Sequence, residues 1–228
     1  PKTAAGSISK AVSQWYRDGG DASQGKMFVC HYPYHETCGA MQHLTCTPDS
    51  WCLIVSGVRM LGPELMSLFF QNACGGRHAE NSTPCLQLRN WSDEVVADNF
   101  MHYCRSIHYG EKGMHASWWS RTKLSFHRAG LQFSLNDLIR DGVSELPNAA
   151  WVLLPLEKGN RFREERLHQW LPGVNLSRDE PHNRAVYADL HARMMTKCQS
   201  SSFWAEDVRI SLMHSDTMTF FYNATLPC

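Results

Sequence analysis

The chain has 228 residues, 43% of them hydrophobic, and its 22 basic and 22 acidic side chains give a formal charge of zero. This length suffices for a substantial hydrophobic core, and we expect one domain over residues 1–228. The balanced charge argues against a protein that coats a polyanion, so we expect no nucleic-acid partner. The longest apolar runs, such as Trp51–Val55 and Trp151–Leu156, are too short to cross a bilayer.

The first sixteen residues predict an anion-binding loop that leads directly into a helix. The small side chains of Ala4, Ala5 and Gly6 in this loop allow a ligand to approach the backbone. Ser7, the last residue of the loop, is a good N-cap. A phosphate at this helix N-terminus would gain N–H donors, the positive end of the macrodipole and a nearby ammonium group. The helix is expected to end at Asp18-Gly19-Gly20. The alternative to an anion site is an ordinary capped helix after a flexible N-terminus. The loop consists of Lys2, Thr3, Ala4, Ala5, Gly6 and Ser7.

Two histidines follow the first predicted strand, Lys26–Cys30. A histidine at the carboxyl end of a strand lies where open α/β sheets bind their ligands. Its imidazole titrates near neutrality and can therefore act as a general base. The alternative is that a single histidine in this position is structural or merely exposed. His31 is the first candidate base, and His35, four residues later, is the second.

The apolar run Trp51–Val58 predicts a strand that is covered on both faces. It ends at Arg59, and Gly62-Pro63 then opens a helix that contains Ser67. The forked donors of Arg59 and the hydroxyl of Ser67 suit a shared anion. The alternative makes Arg59 a surface charge and leaves Ser67 hydrogen-bonded to its own backbone.

The remainder of the chain continues the alternation of strands and helices, which predicts an α/β fold with a parallel sheet flanked by helices. Ser92 and Ser134 are predicted helix caps. We expect further helices over 161–171 and 181–198 and a buried strand over 151–156. The arginines 161, 163 and 166 are expected to form a solvated face balanced by acidic neighbours.

Cysteines and glycosylation triplets indicate the compartment. The nine cysteines lack the short paired spacings of a zinc site. Together with four Asn-x-Ser/Thr triplets they predict a eukaryotic secretory lumen, N-linked glycans and several disulfides. Because the number of cysteines is odd, at least one thiol is left over. The acceptor asparagines are Asn81, Asn90, Asn175 and Asn223.

The order of these motifs resembles the Golgi carbohydrate sulfotransferases that use 3′-phosphoadenosine-5′-phosphosulfate (PAPS). The galactose-3-O-sulfotransferase group is the most similar, and heparan sulfate 2-O-sulfotransferase is a more distant relative. The motifs are Lys-Thr-x-x-x-Ser before a helix, a histidine after a strand, and a strand that ends in Arg59 with Ser67 eight residues later. The resemblance implies a P-loop-like sulfotransferase fold, with the 5′-phosphosulfate on Lys2–Ser7 and the 3′-phosphate between Arg59 and Ser67.

The resemblance also implies an activity. His31, or else His35, would deprotonate a sugar hydroxyl of a glycan or glycolipid, with the galactose 3-OH favoured, while Lys2 would stabilise the leaving phosphate. No metal is implied, and family members reside in the Golgi lumen with a membrane anchor upstream of the catalytic portion. The second loop, Arg59-Met-Leu-Gly-Pro-Glu64, departs from the family's Arg-Asp-Pro with a further arginine. This departure leaves an alternative, a catalytically silent protein of the same fold that binds a glycan or a protein partner.

Overall fold

The computed structural model describes residues 5–20, 26–30, 46–47, 49–73, 87–88, 90–108, 126–127, 129–176, 188–223 and 225–228. Its helices are α1 (Ala5–Arg17), α2 (Leu61–Ala73), α3 (Asp93–His108), α4 (Leu135–Asp141), α5 (Gly159–Leu167), α6 (Ala188–Lys197), α7 (Glu206–Met213) and α8 (Asp216–Phe221). Its strands are β1 (Lys26–Cys30), β2 (Cys52–Val58), β3 (Val143–Leu146) and β4 (Ala149–Pro155). No helix in these ranges is long and apolar enough to span a membrane.

The chain divides into two compact units. The sheet unit comprises Thr3–Arg59 and Trp118–Glu180, and the helical unit comprises Met60–Ser117 and Pro181–Cys228 together with Pro1–Lys2. A single domain can contain two such units, so the expectation of one domain remains a prediction.

The sheet unit is built on a four-stranded sheet with the order β1-β2-β4-β3. β1, β2 and β4 are parallel, and β3 pairs antiparallel with β4. The α/β prediction is therefore confirmed, but the prediction of a wholly parallel sheet is wrong at β3. Only residues 147–148 separate β3 from β4, and a two-residue connection can join only antiparallel neighbours.

Helices cover the central strands. All seven residues of β2 are buried, as its apolar run predicts. On one face, Ile8 and Val12 of α1 pack with alternate residues of β2 and β4 and with Leu167 of α5. On the other, the indole of Trp151 contacts the ring of Phe126 at 4.5 Å between centroids and donates to Ser56 Oγ at 3.0 Å. This burial on both faces is what a central strand of an α/β sheet requires.

The helical unit has its own core, formed by α2, α3, α6, α7 and α8 around the buried rings of Phe70 and Phe100. Its C-terminus is fixed by the Cys198–Cys228 disulfide. Gly62 in α2 is in close contact with this terminus, because a Cβ there would lie only 2.6 Å from Pro227 O. The backbone amide of Gly62 donates to the same carbonyl at 2.9 Å. Glycine is thus required at position 62 by a close approach rather than by a turn.

Disulfides are present, as the cysteine count predicts. Among the described residues, disulfides join Cys46 to Cys52 and Cys198 to Cys228, while Cys104 is a free, buried thiol. The second bridge spans a sequence separation of 30 residues and the first only 6. On the chain-entropy model the longer loop contributes about 3–4 kcal/mol and the shorter about 2 kcal/mol.

Several predicted helix boundaries differ from the structure. α1 begins at Ala5, so Ser7 lies within its first turn and the prediction of Ser7 as N-cap is wrong. Ala5 favours the helix, and Gly6 weakens it by only about 1 kcal/mol, so the helix includes both residues before Ser7. The helix predicted over 161–171 ends at Leu167, and in the region predicted as 181–198 the structure describes a helix over Ala188–Lys197. Ser92 and Ser134 do accept N-terminal amide bonds, from Val95 and Asp137.

The arginines of α5 differ in environment. Arg161 is exposed and pairs with Glu165 at 2.9 Å, as a solvated face would require. Arg166 is partly buried, with its guanidinium 4.9 Å from the centroid of the Phe162 ring. Burial lowers the pKa of Arg163 and of Arg166 below the usual arginine value. The prediction of a wholly solvated basic face is therefore wrong for these two residues, because their guanidinium groups bond backbone carbonyls of the unit, Arg163 that of Gly159 and Arg166 that of Leu153.

Candidate functional site

The candidate phosphosulfate loop leads into α1. Ala5, Gly6 and Ser7 form the first helical turn, whose N–H groups have no partners within the helix. Lys2, Thr3 and Ala4 lie outside the described residues. Gly19, at φ 90°, donates to Tyr16 O, and Gly20 donates to Trp15 O at 3.0 Å. This pair of bonds is a Schellman motif, and it ends α1 where the glycines predict.

The register of β1 and β2 determines which residues share an edge of the sheet. The two strands are adjacent and parallel, with Cys30 opposite Ser56. Their carboxyl ends therefore lie at the same edge, where α/β sheets bind ligands. Arg59, half-buried, follows β2 directly. His31 comes next after Cys30 in the sequence, but His31 and His35 lie outside the described residues.

Ser67 is held by two hydrogen bonds within the helical unit. Its Oγ donates to Pro63 O at 2.9 Å and lies 3.2 Å from Nε2 of His191 in α6. Because the only hydroxyl proton goes to the carbonyl, the imidazole must donate from Nε2. The backbone bond of the structural alternative is thus present, and the phosphate role of Ser67 remains a prediction. Arg59 and Ser67 belong to different units, so their convergence on one anion also remains a prediction.

Sequence reasoning missed His191. Its ring packs edge-on against Phe70, with the centroids 5.8 Å apart. The spacing of His191 could have identified it, because His191, Met194 and Cys198 recur at i, i+3 and i+7 and therefore lie on one side of the helix. Met194 and Cys198 are fully buried, so this side faces the core.

The first turn of α2 offers few backbone donors to an anion. The Gly62 amide donates to Pro227 O, and Pro63 has no N–H. The Glu64 amide donates to Met60 O at 3.2 Å, and the Glu64 carboxyl in this turn is 2% exposed. A 3′-phosphate in the second loop would therefore depend on side chains rather than on the helix N-terminus.

Several cations of the helical unit are engaged by carboxylates. Lys197 and Arg193 of α6 contact Asp93 of α3 at 2.9 and 3.2 Å. The hydrogen bond from Lys197, with the bond and charge of Arg193, lowers the pKa of the Asp93 carboxyl. Arg105 binds Asp207 through two bonds of 2.7 and 2.9 Å, and the first of these lowers the pKa of Asp207. These ion pairs link α3 to α6 and to α7. We therefore assign none of these cations to the anion site.

Within the described ranges, no three His, Cys, Asp or Glu side chains come together as a metal ion would require. Comparison of the chain with protein-family models, with curated proteins and with solved structures gave no match.

Proposed function

We propose that this chain is a PAPS-dependent carbohydrate sulfotransferase of the secretory pathway, with a P-loop-like sulfotransferase fold and a Golgi luminal location. The observation that supports the proposal is the parallel pairing of β1 with β2, because the carboxyl ends of these two strands share one edge of the sheet. In the sequence, a histidine comes directly after β1 and an arginine directly after β2. Sulfuryl transfer from PAPS needs a general base for the acceptor hydroxyl and cations that hold the phosphates of the nucleotide. The disulfides Cys46–Cys52 and Cys198–Cys228 fit an oxidising lumen.

In the proposed reaction, His31 removes the proton from a sugar hydroxyl as the oxygen attacks sulfur, with His35 as the alternative base. An oxygen–sulfur bond to the sugar forms while the bond from sulfur to the 5′-phosphate breaks, leaving adenosine 3′,5′-bisphosphate. The ammonium of Lys2 and the first-turn amides of α1, over Ala5–Ser7, stabilise the charge on the leaving phosphate. Arg59 and Ser67 hold the 3′-phosphate. The acceptor is a glycan or glycolipid, with the galactose 3-OH favoured.

A second candidate is a catalytically silent protein of this fold that binds a glycan or a protein partner. The observation in its favour is the first turn of α2, where the Gly62 and Glu64 amides are already bonded and a buried carboxyl is present. A carboxyl here supplies no cation for a doubly charged phosphate and, when ionised, opposes it. On this alternative the second loop would have lost its nucleotide contacts while the fold persists.

The test is transfer of radiolabelled sulfate from PAPS to a panel of galactosides and uronic-acid-containing glycans. Sulfation of a galactoside by the wild type, and its loss in His31→Ala or His35→Ala, is the expected result. The absence of transfer to every acceptor, with nucleotide binding also absent, would support the silent protein instead.

A further inference from the structure

A cleft of about 690 Å³ runs along the exposed side of α1 in the sheet unit. Such a volume falls within the range of about 300–1,000 Å³ that holds a drug-sized ligand, so one or two sugar rings fit. One wall is α1 and the other is the segment after α5. Its lining includes Gln14, Trp15, Arg17, Asp18, Gly173 and Asn175.

Asn175 in this wall is the acceptor of the triplet Asn175-Leu-Ser177. Its side chain is exposed, whereas Val174 and Leu176 on either side are each only 3% exposed. The Leu176 amide donates to Glu164 Oε1 at 2.6 Å, which fixes the backbone of this segment to α5. The buried neighbours therefore direct Asn175 outward from a fixed backbone, beside the cleft.

The α1 wall has the chemistry of a sugar-binding surface. The indole of Trp15 is held by a bond of 2.8 Å from Nε1 to Pro172 O, and the backbone of Gly20 approaches its six-membered ring. The Gln14 amide donates to Asp18 at 2.6 Å and accepts from Arg17 at 2.7 Å. Indole rings pack against the apolar faces of sugars, and oriented amide, carboxylate and guanidinium groups bond sugar hydroxyl and acetamido groups.

We infer that Asn175 carries an N-linked glycan whose first N-acetylhexosamine residues lie in this cleft against α1. The inference rests on the secretory location in the proposed function. In the attachment step, Asn175 Nδ2 bonds to C1 of the sugar as the bond from C1 to the diphosphate of a lipid-linked oligosaccharide breaks. The amide loses one proton to a base of the transferring enzyme, and the lipid diphosphate is the leaving group. Because the sugar is tethered at millimolar effective concentration, weak contacts suffice to keep it in the cleft.

The test is thermal unfolding of the full chain secreted from eukaryotic cells, with each acceptor's occupancy measured by mass spectrometry. Ser177→Ala abolishes the acceptor triplet and leaves Asn175 in place. We expect it to lower Tm by about 2–4 °C. The matched control Thr225→Ala removes the triplet of Asn223, which is also exposed, and we expect an unchanged Tm. In a Gln14→Ala background Ser177→Ala should lower Tm by less, because the contact between the glycan and α1 is already weakened by the loss of Gln14.

A second measurement is the rate at which peptide:N-glycosidase releases each glycan from the native protein. We expect release at Asn175 to be at least about tenfold slower than at Asn223, as 1.4 kcal/mol of contact would give. An unoccupied Asn175 beside an occupied Asn223, or equal release rates with an unchanged Tm, overturns this inference alone. Absence of glycan from every triplet overturns both this inference and the secretory location. The proposed sulfotransferase activity is tested independently, by the sulfate-transfer assay.

Discussion

The Oγ of Ser67 in α2 accepts a hydrogen bond from Nε2 of His191 in α6, with 3.2 Å between the two atoms. The hydroxyl proton goes to Pro63 O, so the serine links its own helix to its neighbour. Two residues 124 positions apart in the sequence are thereby joined at a half-buried contact within the helical unit.

We expect His191→Phe to lower the free energy of unfolding by about 0.5–1.5 kcal/mol, because it removes one hydrogen bond, and Ser67→Ala to lower it by about 1–3 kcal/mol, because it removes two. The double variant should lose less than the sum of the two, as residues in direct contact do. Urea unfolding of the four proteins measures this coupling. Ser106→Ala is the matched control, because Ser106 also donates to a carbonyl of its own helix but is exposed. Strict additivity would show that the contact contributes nothing.

For Arg59→Ala we expect affinity for adenosine 3′,5′-bisphosphate to fall about ten- to a hundredfold, the contribution of charge-assisted bonds to a phosphate. The affinity of Arg59→Lys should lie between those of the wild type and Arg59→Ala, since lysine keeps the charge but not the forked donors of arginine. Isothermal titration calorimetry measures both. Arg161→Ala is the control, because Arg161 is exposed and paired with Glu165. Unchanged affinity in a folded Arg59 variant would assign this arginine to the surface.

His31→Ala should leave nucleotide affinity intact and reduce turnover by about two to four decades, the usual contribution of general acid–base catalysis. Because a base must be neutral to accept a proton, the wild-type rate should rise with pH through the pKa of this histidine and then level off. His35→Ala is the comparison that decides between the two bases. Loss of transfer in the His35 variant alone would identify His35 as the base, and full activity in both variants would refute the mechanism.

Local patterns in the sequence predicted much of the sheet unit. The buried strand β2 follows from a continuous apolar run, and the end of α1 follows from two glycines. The β3–β4 hairpin was missed because the polar residues of β3, with the pattern Val-Ser-Glu-Leu, give no strong strand signal. Residue type alone predicts Ser7 as a helix cap, whereas in the structure the helix already includes Ala5 and Gly6.

The candidate site was harder to predict because it depends on contacts between distant segments. The sequence indicates that Arg59 ends a strand, but not that the Gly62 amide bonds a carbonyl from the last residues of the chain. It likewise indicates a helix around residue 191, but not that its histidine meets Ser67. Such contacts arise from tertiary packing, which local residue propensities do not predict.

Acid should weaken the junction of α3 and α6. Asp93 accepts bonds from Lys197 and Arg193, which lower its pKa below the ordinary 3.8. The resulting stability is fully present above the unfolded pKa and is lost as pH falls through the lower folded pKa. We therefore expect Asp93→Asn to be less stable than the wild type at pH 7, with the difference shrinking below about pH 4. Urea unfolding across this range measures the difference. A constant difference at every pH would show that the charge of Asp93 is irrelevant.

A thermal-shift titration with adenosine 3′,5′-bisphosphate tests the proposed nucleotide site. At a hundredfold excess over Kd, a ligand that binds only the folded chain stabilises it by about 2.7 kcal/mol, which corresponds to a rise in Tm of about 5–10 °C. We predict this rise for the wild type, with a smaller one for adenosine 5′-monophosphate, which lacks the 3′-phosphate. No shift with the bisphosphate at millimolar concentration would contradict the account.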